Sequence, residues 1–426
     1  MTDATSLLFD LPGFRVIECV EDSESGGRRI TVMGVGDVHG CPDCAVIAEG
    51  PYDYRDRVIK DLPFGQRPLV LVWHQRRFTC DEDQCERKTF TETSVQIPVR
   101  HRLTMRLRSK LEASASGSAR SVSDVAREYR VSWGTVHGAL IRKAMTLLPQ
   151  PGPTTMIGID ETRARSVRWV CDDEKKWIRT DPWMTSFVDL DLSHAGGLIG
   201  LVPGRSGTSV RNWLNAQTPA WRAGIKIVAI DPSAPFASAI RDVLKGATIV
   251  VDHWHLDRLA NLMLTQVRQR AARDQHGRRG RKSDLSWAHR QLLLRAGDQL
   301  SVRAAVKLDE LFAADDPRGH IKAAWQIKEA LRHLLKATDR HTISNRLHAF
   351  HELVIAADMY ETTRLATTID RWWPEVLAFL ETRITNARTE GYNRVIKQIK
   401  RTGCGYRNQA NYERRIVLHI AAKQAA

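Results

Sequence analysis

The sequence predicts a multidomain α/β protein: a β-rich metal-binding module, then a helix-turn-helix, then an α/β domain interrupted by a long helical stretch. Three observations predict it. Four of the seven cysteines form two close pairs in the first hundred residues. Residues 154–256 alternate apolar strand-like runs with helical ones. From about His253 to Arg383 the pattern is helical, with few strand-like runs. At 426 residues the chain has room for several domains. The boundaries expected are 1–99, 100–148, 149–256, 257–383 and 384–426.

Residues 14–100 read as short strands and turns. Phe14–Val20 and Arg29–Val35 flank the turn-like Ser23-Glu24-Ser25-Gly26-Gly27, and Leu69–Trp73 is a third strand. Cys41-Pro42-Asp43-Cys44 is followed, after 35 residues, by Cys80-Asp81-Glu82-Asp83-Gln84-Cys85. Such turns bring two thiolates each to one ion, so Cys41, Cys44, Cys80 and Cys85 form a candidate structural Zn²⁺ site. Four thiolates leave no open coordination position, which argues against catalytic zinc. His39 and His74 are the other nearby ligand types.

Residues 100–143 hold ten Lys and Arg against three acids, a balance suited to phosphate contacts. Ser121 can cap a helix over Val122–Tyr129, and Ser132 a second over Trp133–Ala144. The pair resembles a helix-turn-helix, whose second helix enters the major groove. Trp133, Thr135, His137 and Arg142 are the candidate DNA contacts on it. Pro149-Gln150-Pro151-Gly152-Pro153 cannot continue a helix and marks a linker.

In the α/β region, Met156–Asp160, Met184–Leu190, Leu198–Val202, Ile225–Asp231 and Thr248–Asp252 read as strands. Gly207–Gln217 and Ala234–Lys245 read as helices between them, suggesting a mixed sheet. Asp160 and Asp231 each follow an apolar run, where carboxylates from different strands can converge on Mg²⁺ or Mn²⁺. Glu161 and Asp252 are rivals for the two positions, and His253 and His255 are further metal or DNA-facing candidates. Glu390 opens a basic helix on which Asn393, Arg394, Lys397 and Arg401 recur at steps of three and four residues. These four are candidate DNA contacts. The stretch Arg268–Lys282 reads as a polar, basic interruption of the helical region.

The bulk numbers agree with an anionic partner. Lys plus Arg total 64 against 49 Asp plus Glu, a net charge of +15, which points to nucleic acid. No apolar run reaches the length of a membrane helix, and the first residues lack the pattern of a signal peptide. The expectation is therefore a cytoplasmic, nucleoid-associated protein that does not enter the membrane.

The ordered set of motifs is similar to the ISL3 family of bacterial insertion-sequence transposases, over almost the whole chain. The resemblance rests on Cys41-Pro42-Asp43-Cys44; Asp61-Leu62-Pro63; Arg76-Arg77-Phe78-Thr79-Cys80 with Lys88-Thr89-Phe90-Thr91-Glu92; Gly158-Ile159-Asp160-Glu161; Ile230-Asp231-Pro232; Asp252-His253-Trp254-His255; and Glu390-Gly391-Tyr392-Asn393 with Ile396-Lys397 and Gly405-Tyr406-Arg407-Asn408. Where the family often has Ser-Asn, this chain has Thr385-Asn386. The resemblance implies a zinc-binding domain, a helix-turn-helix and an RNase H-like catalytic domain with a DDE triad. Matched residue by residue, the triad is Asp160, Asp231 and Glu390, with a helical insertion between the last two.

The function implied is binding of terminal inverted repeats, Mg²⁺-dependent cleavage of DNA, and strand transfer, with a homodimer in the synaptic complex. A zinc-containing transcriptional regulator would share the first two modules but has no need of the three acids. A metal-dependent nuclease would share the acids but not the joining step.

Overall fold

The computed structural model describes residues 4–424 except 23–25, 37, 64–66, 118–119, 148–150 and 194–195. Ser23, Glu24 and Ser25 of the expected turn, and Pro149 and Gln150 of the expected linker, lie outside the described residues. The chain forms two compact units, residues 1–148 with 398–426, and residues 149–397.

The first unit begins with helix α1 (Ala4–Phe9) and strands β1 (Phe14–Asp22), β2 (Gly27–Gly34), β3 (His39–Gly40), β4 (Ile47–Ala48), β5 (Asp53–Ile59), β6 (Leu69–Thr79) and β7 (Thr89–Thr91). One sheet runs β1-β2-β6-β5, with β7 also paired to β6. The β2–β6 pair is parallel and its neighbours are antiparallel. Alternation along β6 turns Leu71 and Trp73 into a core with Ile30, Val32 and Ile59. Further along, Phe78 stacks on Phe90 of β7, with 5.4 Å between ring centroids.

Helices α2 (Met105–Ser116), α3 (Val122–Glu128) and α4 (Trp133–Leu147) follow. Thr104 and Ser121 cap the first two through side-chain oxygens that accept from Leu107 N and Asp124 N. Ser132 Oγ accepts from Thr135 N at 3.1 Å and does the same for α4. Arg130, at φ +51°, makes the tight turn between α3 and α4. Leu107, Leu111, Val125, Val136 and Leu140 form the core of this trio.

The second unit contains β8 (Met156–Arg163), the hairpin β9 (Trp169–Cys171) and β10 (Trp177–Arg179), β11 (Trp183–Asp189), β12 (Gly197–Pro203), α5 (Gly207–Asn215), α6 (Pro219–Gly224), β13 (Ile227–Ile230), α7 (Ala234–Val243) and β14 (Thr248–Val251). Its sheet has the order β12-β11-β8-β13-β14. The first three strands are antiparallel, and β13 and β14 run parallel to β8. This mixed α/β sheet is the arrangement expected of an RNase H-like domain.

Helices α8 (His253–His276), α9 (Leu285–Ala288), α10 (Arg290–Leu294), α11 (Val302–Asp315), α12 (His320–Leu335), α13 (Arg340–Ala357), α14 (Tyr360–Arg371) and α15 (Trp373–Thr382) make up the helical stretch. Helix α16 (Ala387–Thr402) and α17 (Gln409–Gln424) close the chain.

Two sequence expectations need correction. The basic interruption does not start at Arg268, because α8 continues to His276 and stops at Gly277, whose φ of +64° suits a glycine cap. Arg268 is buried, and Arg270 pairs with Glu361 at 2.8 Å, so neither belongs to a loop. Beyond the cap, Arg278 pairs with Asp284. Second, β8 does not stop at Asp160; it continues to Arg163, paired with β11. Residues 398–426 group with the first unit. The physical reason is Leu418 of α17, which fills the core formed by α2, α3 and α4.

Candidate active site and zinc centre

The cysteines come from two hairpin ends. Cys41 and Cys44 lie between β3 and β4, and Cys80 and Cys85 between β6 and β7. Ala45, at φ +61°, lets the chain fold back so that its N–H donates to Cys41 O at 2.8 Å. Cys80 N–H donates to Lys88 O at 3.0 Å and closes the other turn. The four sulfurs all lie within 4.8 Å of one another, with Cys41–Cys85 at 3.9 Å and Cys44–Cys80 at 3.4 Å. Sulfurs at about 2.3 Å around a tetrahedral zinc sit roughly 3.8 Å apart, so the donor set fits the ion.

Their electrostatics need a cation too. Burial raises the Cys41 thiol, but N–H groups of Asp43 and Cys44 outweigh it and hold it down at about 7. Cys80 receives an N–H from Glu82, yet burial and the neighbouring sulfurs push it up to about 12. Four thiolates cannot coexist here without a compensating positive charge. Neither histidine joins them: His39 stacks on Phe78, and His74 bonds Asp56 at 2.6 Å.

The carboxylates are assembled by strand alternation. Gly158 and Asp160 lie two apart on β8 and face one side of the sheet. Ile157 and Ile159 face the other side and enter the main core. On β13, Ala229 packs on the Gly158 side with Val188 and Leu190, so Asp231, two residues on, faces that side as well. The parallel register pairs Ala229 with Gly158 and Ile230 with Ile159. Asp231 follows directly after the last paired residue of β13, and its charge acts on the Asp160 carboxyl.

Helix α16 lies against this same side. Asn386 donates to Ile159 O at 3.3 Å, and Asn393 Nδ2 donates to Asp160 Oδ2 at 2.6 Å. Ser186 on β11 donates to Asn393 Oδ1 at 3.0 Å and fixes the orientation of the amide. Asn386, Thr389 and Asn393 are all buried, at helical spacing. A Cβ on Gly158 would overlap Thr389 Oγ1 and Asn386 Oδ1, so the glycine permits the close approach. Gly158→Ala is therefore expected to lower stability by about 1–3 kcal/mol through overpacking. Thermal melts check this; an unchanged melt would refute the packing argument.

Asp160 is 8% exposed. Burial and the charge of Asp231 push its carboxyl up to about 7, against the Glu161 N–H and Asn393 amide that stabilise its ionised form. Asp231 pairs with His255 Nε2 at 3.0 Å. Burial lowers His255, but the bond to Asp231 and the surrounding carboxylates leave it raised above the usual histidine value. Two interacting carboxylates, one of them raised by burial and by its neighbour's charge, form a site that a divalent cation would relieve.

Glu390 sits one turn before Asn393 on α16, with its side chain 43% exposed and Arg394 at 3.7 Å. Among the described residues, the cysteines are the group of three or more ligand atoms within 4.8 Å of one another. Asp160, Asp231 and Glu390 do not close to that spacing.

The rivals have other partners. Asp252 caps α8 by accepting from Trp254 N at 3.1 Å and bonds His253. Glu161 is half-buried, and burial and Asp231 raise its carboxyl. His253 stacks on Phe379.

The expected DNA contacts divide. Arg394, Lys397 and Arg401 are exposed on α16, whereas Asn393 is buried against Asp160. Asn393 is thus not an exposed DNA contact, because the close approach of α16 at Gly158 turns it inward. On α4, Arg142 is exposed, Trp133 stacks on His137 with 4.3 Å between centroids, and Thr135 joins the Ser132 cap. Asp61 and Glu92, among the motif residues, are structural: Asp61 bonds Thr104 and Arg106, and Glu92 bonds Trp73 and Arg76.

Three family models match successive parts of the chain. The zinc-finger of transposase IS204/IS1001/IS1096/IS1165 matches residues 37–85, the helix-turn-helix domain of transposase family ISL3 matches 91–142, and the ISL3 transposase model matches 170–416. The last spans Asp231 and Glu390 and begins after Asp160. The transposase for insertion sequence element IS1001 of Bordetella parapertussis is 25% identical over 404 residues, covering 92% of each chain. Among solved structures, the Drosophila P element transposase strand transfer complex aligns with 74% of this chain and 92% of its own, at 9% identity and a TM-score of 0.41. Among the described residues, no helix is long and apolar enough to cross a membrane.

Proposed function

The chain belongs to the ISL3 family of transposases, and from that membership we propose that it cuts the ends of its own insertion sequence and joins them to target DNA. The observation that supports this reading is that the Asp231 charge acts on the buried Asp160 carboxyl, with α16 docked on Asp160 through Asn393. Asp160 and Asp231 would be the principal ligands for Mg²⁺ or Mn²⁺, and Glu390 would complete the set from α16. A divalent cation bound there supplies Lewis-acid stabilisation of the phosphate oxygens and lowers the pKa of the attacking hydroxyl.

The chain's own residues do the rest. Asn393, held by Ser186, orients the Asp160 carboxylate. His255 holds Asp231. Glu390 orients the attacking water or 3′-hydroxyl. Arg394, Lys397 and Arg401 hold the DNA backbone beside the carboxylates. The zinc ribbon and helix-turn-helix recognise the terminal inverted repeats. Two ends are cut and joined together, which calls for a homodimer in the synaptic complex.

Incubating the full chain with Mg²⁺ and labelled element ends tests the reading. Cut and joined products are expected. Binding without cutting would mean a regulator, and cutting without joining a nuclease. End binding should also weaken steeply with salt as phosphate contacts release counterions, by about 10³-fold or more between 50 and 200 mM if six or more phosphates are held. A flat salt profile in a gel-shift series would remove α4 and α16 as phosphate-binding surfaces.

A further inference from the structure

Beside the helix-turn-helix core, the first unit contains a cavity of about 380 Å³. One wall is α4, with Trp133 and His137. The other is the segment from Tyr406 to Arg415. Arg407, Arg414 and Arg415 line it together with Arg120, and no Asp or Glu does so among the described residues. Arg415 is the telling residue. It is 7% exposed, donates through Nη2 to Arg120 O at 2.9 Å, and its Nη1 is buried without a hydrogen-bond partner. Arg120 pairs with Glu128, whereas Arg407, Arg414 and Arg415 form no salt bridge among the described residues, and a guanidinium as buried as that of Arg415 is costly without an anion. Burial lowers Arg415, with Tyr406 the favourable neighbour, so no carboxylate of its own offsets the charge.

The remaining walls suit a flat ring. Trp133 is 51% exposed and stacks on His137 by one face, and Leu140 and Leu418 supply apolar surface. A base stacked on an aromatic face beside a phosphate on arginine is a general mode of single-strand recognition.

We propose that this cavity is a nucleotide site: it takes one phosphate-bearing nucleotide, with the phosphate on the arginine cluster and the base against Trp133. The occupant is a nucleotide of a DNA strand, drawn out of the stack beside the recognition helix. The inference rests on the reading of the chain as a DNA-acting enzyme. It assigns to the C-terminal segment a part in holding DNA.

The test uses the full chain and a labelled hexanucleotide carrying 5-iodo-deoxyuridine, cross-linked by light and mapped by mass spectrometry. Cross-links at Trp133, His137 or Tyr406 are expected. Excess unlabelled hexanucleotide should abolish them, and deoxythymidine monophosphate should not. Competition by the mononucleotide at equal concentration would support the site but make a free nucleotide its occupant. Arg407→Ala with Arg414→Ala should lower the yield at least tenfold with an unchanged melting temperature, and Arg414→Lys should retain most of it. Cross-links confined to other peptides, or an unchanged yield in the double variant, would overturn the proposal. If the double variant melts early, Arg407→Ala alone, at an exposed position, decides by the same yield. Asp231→Asn should cross-link as the unmodified chain does, so failure here is distinguishable from failure of the catalytic reading.

Discussion

Asp231→Asn abolishes cleavage and joining while leaving end binding within about twofold: that is the expected result of removing one charge from the paired strands. The substitution keeps the size and a hydrogen-bond acceptor for His255, so the sheet is not disturbed. What is lost is one charge of the interacting pair formed by Asp160 and Asp231. A loss of at least 10³-fold is expected, about 4 kcal/mol of transition-state stabilisation. Asp252→Asn is the matched control. Asparagine caps helices as well as aspartate, so α8 keeps its N-cap and cleavage should persist. If Asp231→Asn cleaves normally and Asp252→Asn does not, the second acid is Asp252. If both cleave normally, the carboxylate mechanism does not apply to this chain.

The second large effect concerns the zinc ribbon. Cys80→Ser should reduce zinc from about one ion per chain to almost none. Three sulfurs remain, and the fourth position falls to a weaker serine hydroxyl or water in place of a thiolate. The small core around Phe78 and Phe90 is held by little else, and structural zinc typically supplies on the order of 10 kcal/mol of binding free energy to such modules. Proteolysis should then open residues 39–48 and 80–91 first. The helix-turn-helix has its own core, which includes Leu418, and should resist. Equal zinc in the two proteins, measured by elemental analysis, would contradict the four-cysteine site.

The two sheet acids were legible because an apolar β-type run that ends in an acid carries its own address. Ile157 and Ile159, like Val228 and Ile230, must be buried, which leaves the alternate positions to face the site. The cysteine pairs were legible for a similar reason, since their spacing is that of a turn. Asn393 was not legible. It sits among basic residues at helical spacing, and only the missing side chain of Gly158 draws α16 close enough to bury it. Hairpin β9–β10 escaped notice because its strands are exposed throughout and show no alternation. Arg268 was misread because its neighbours are polar, whereas Leu264, Val267 and Ala272 keep the apolar stripe of α8 running beneath it. The place of α17 depends on a return of the chain that no local pattern encodes.

The central claim is that Asp160, Asp231 and Glu390 share one divalent-metal site. Substituting Fe²⁺ for Mg²⁺ in the complex with element ends, then adding ascorbate and peroxide, cuts the backbone wherever the ion sits. The account predicts three clusters of cuts, around residues 160, 231 and 390, all suppressed by excess Mg²⁺ and all lost together in Asp231→Asn. Cuts centred on Asp252, or cuts near 160 and 231 with none near 390 in the DNA complex, would contradict it.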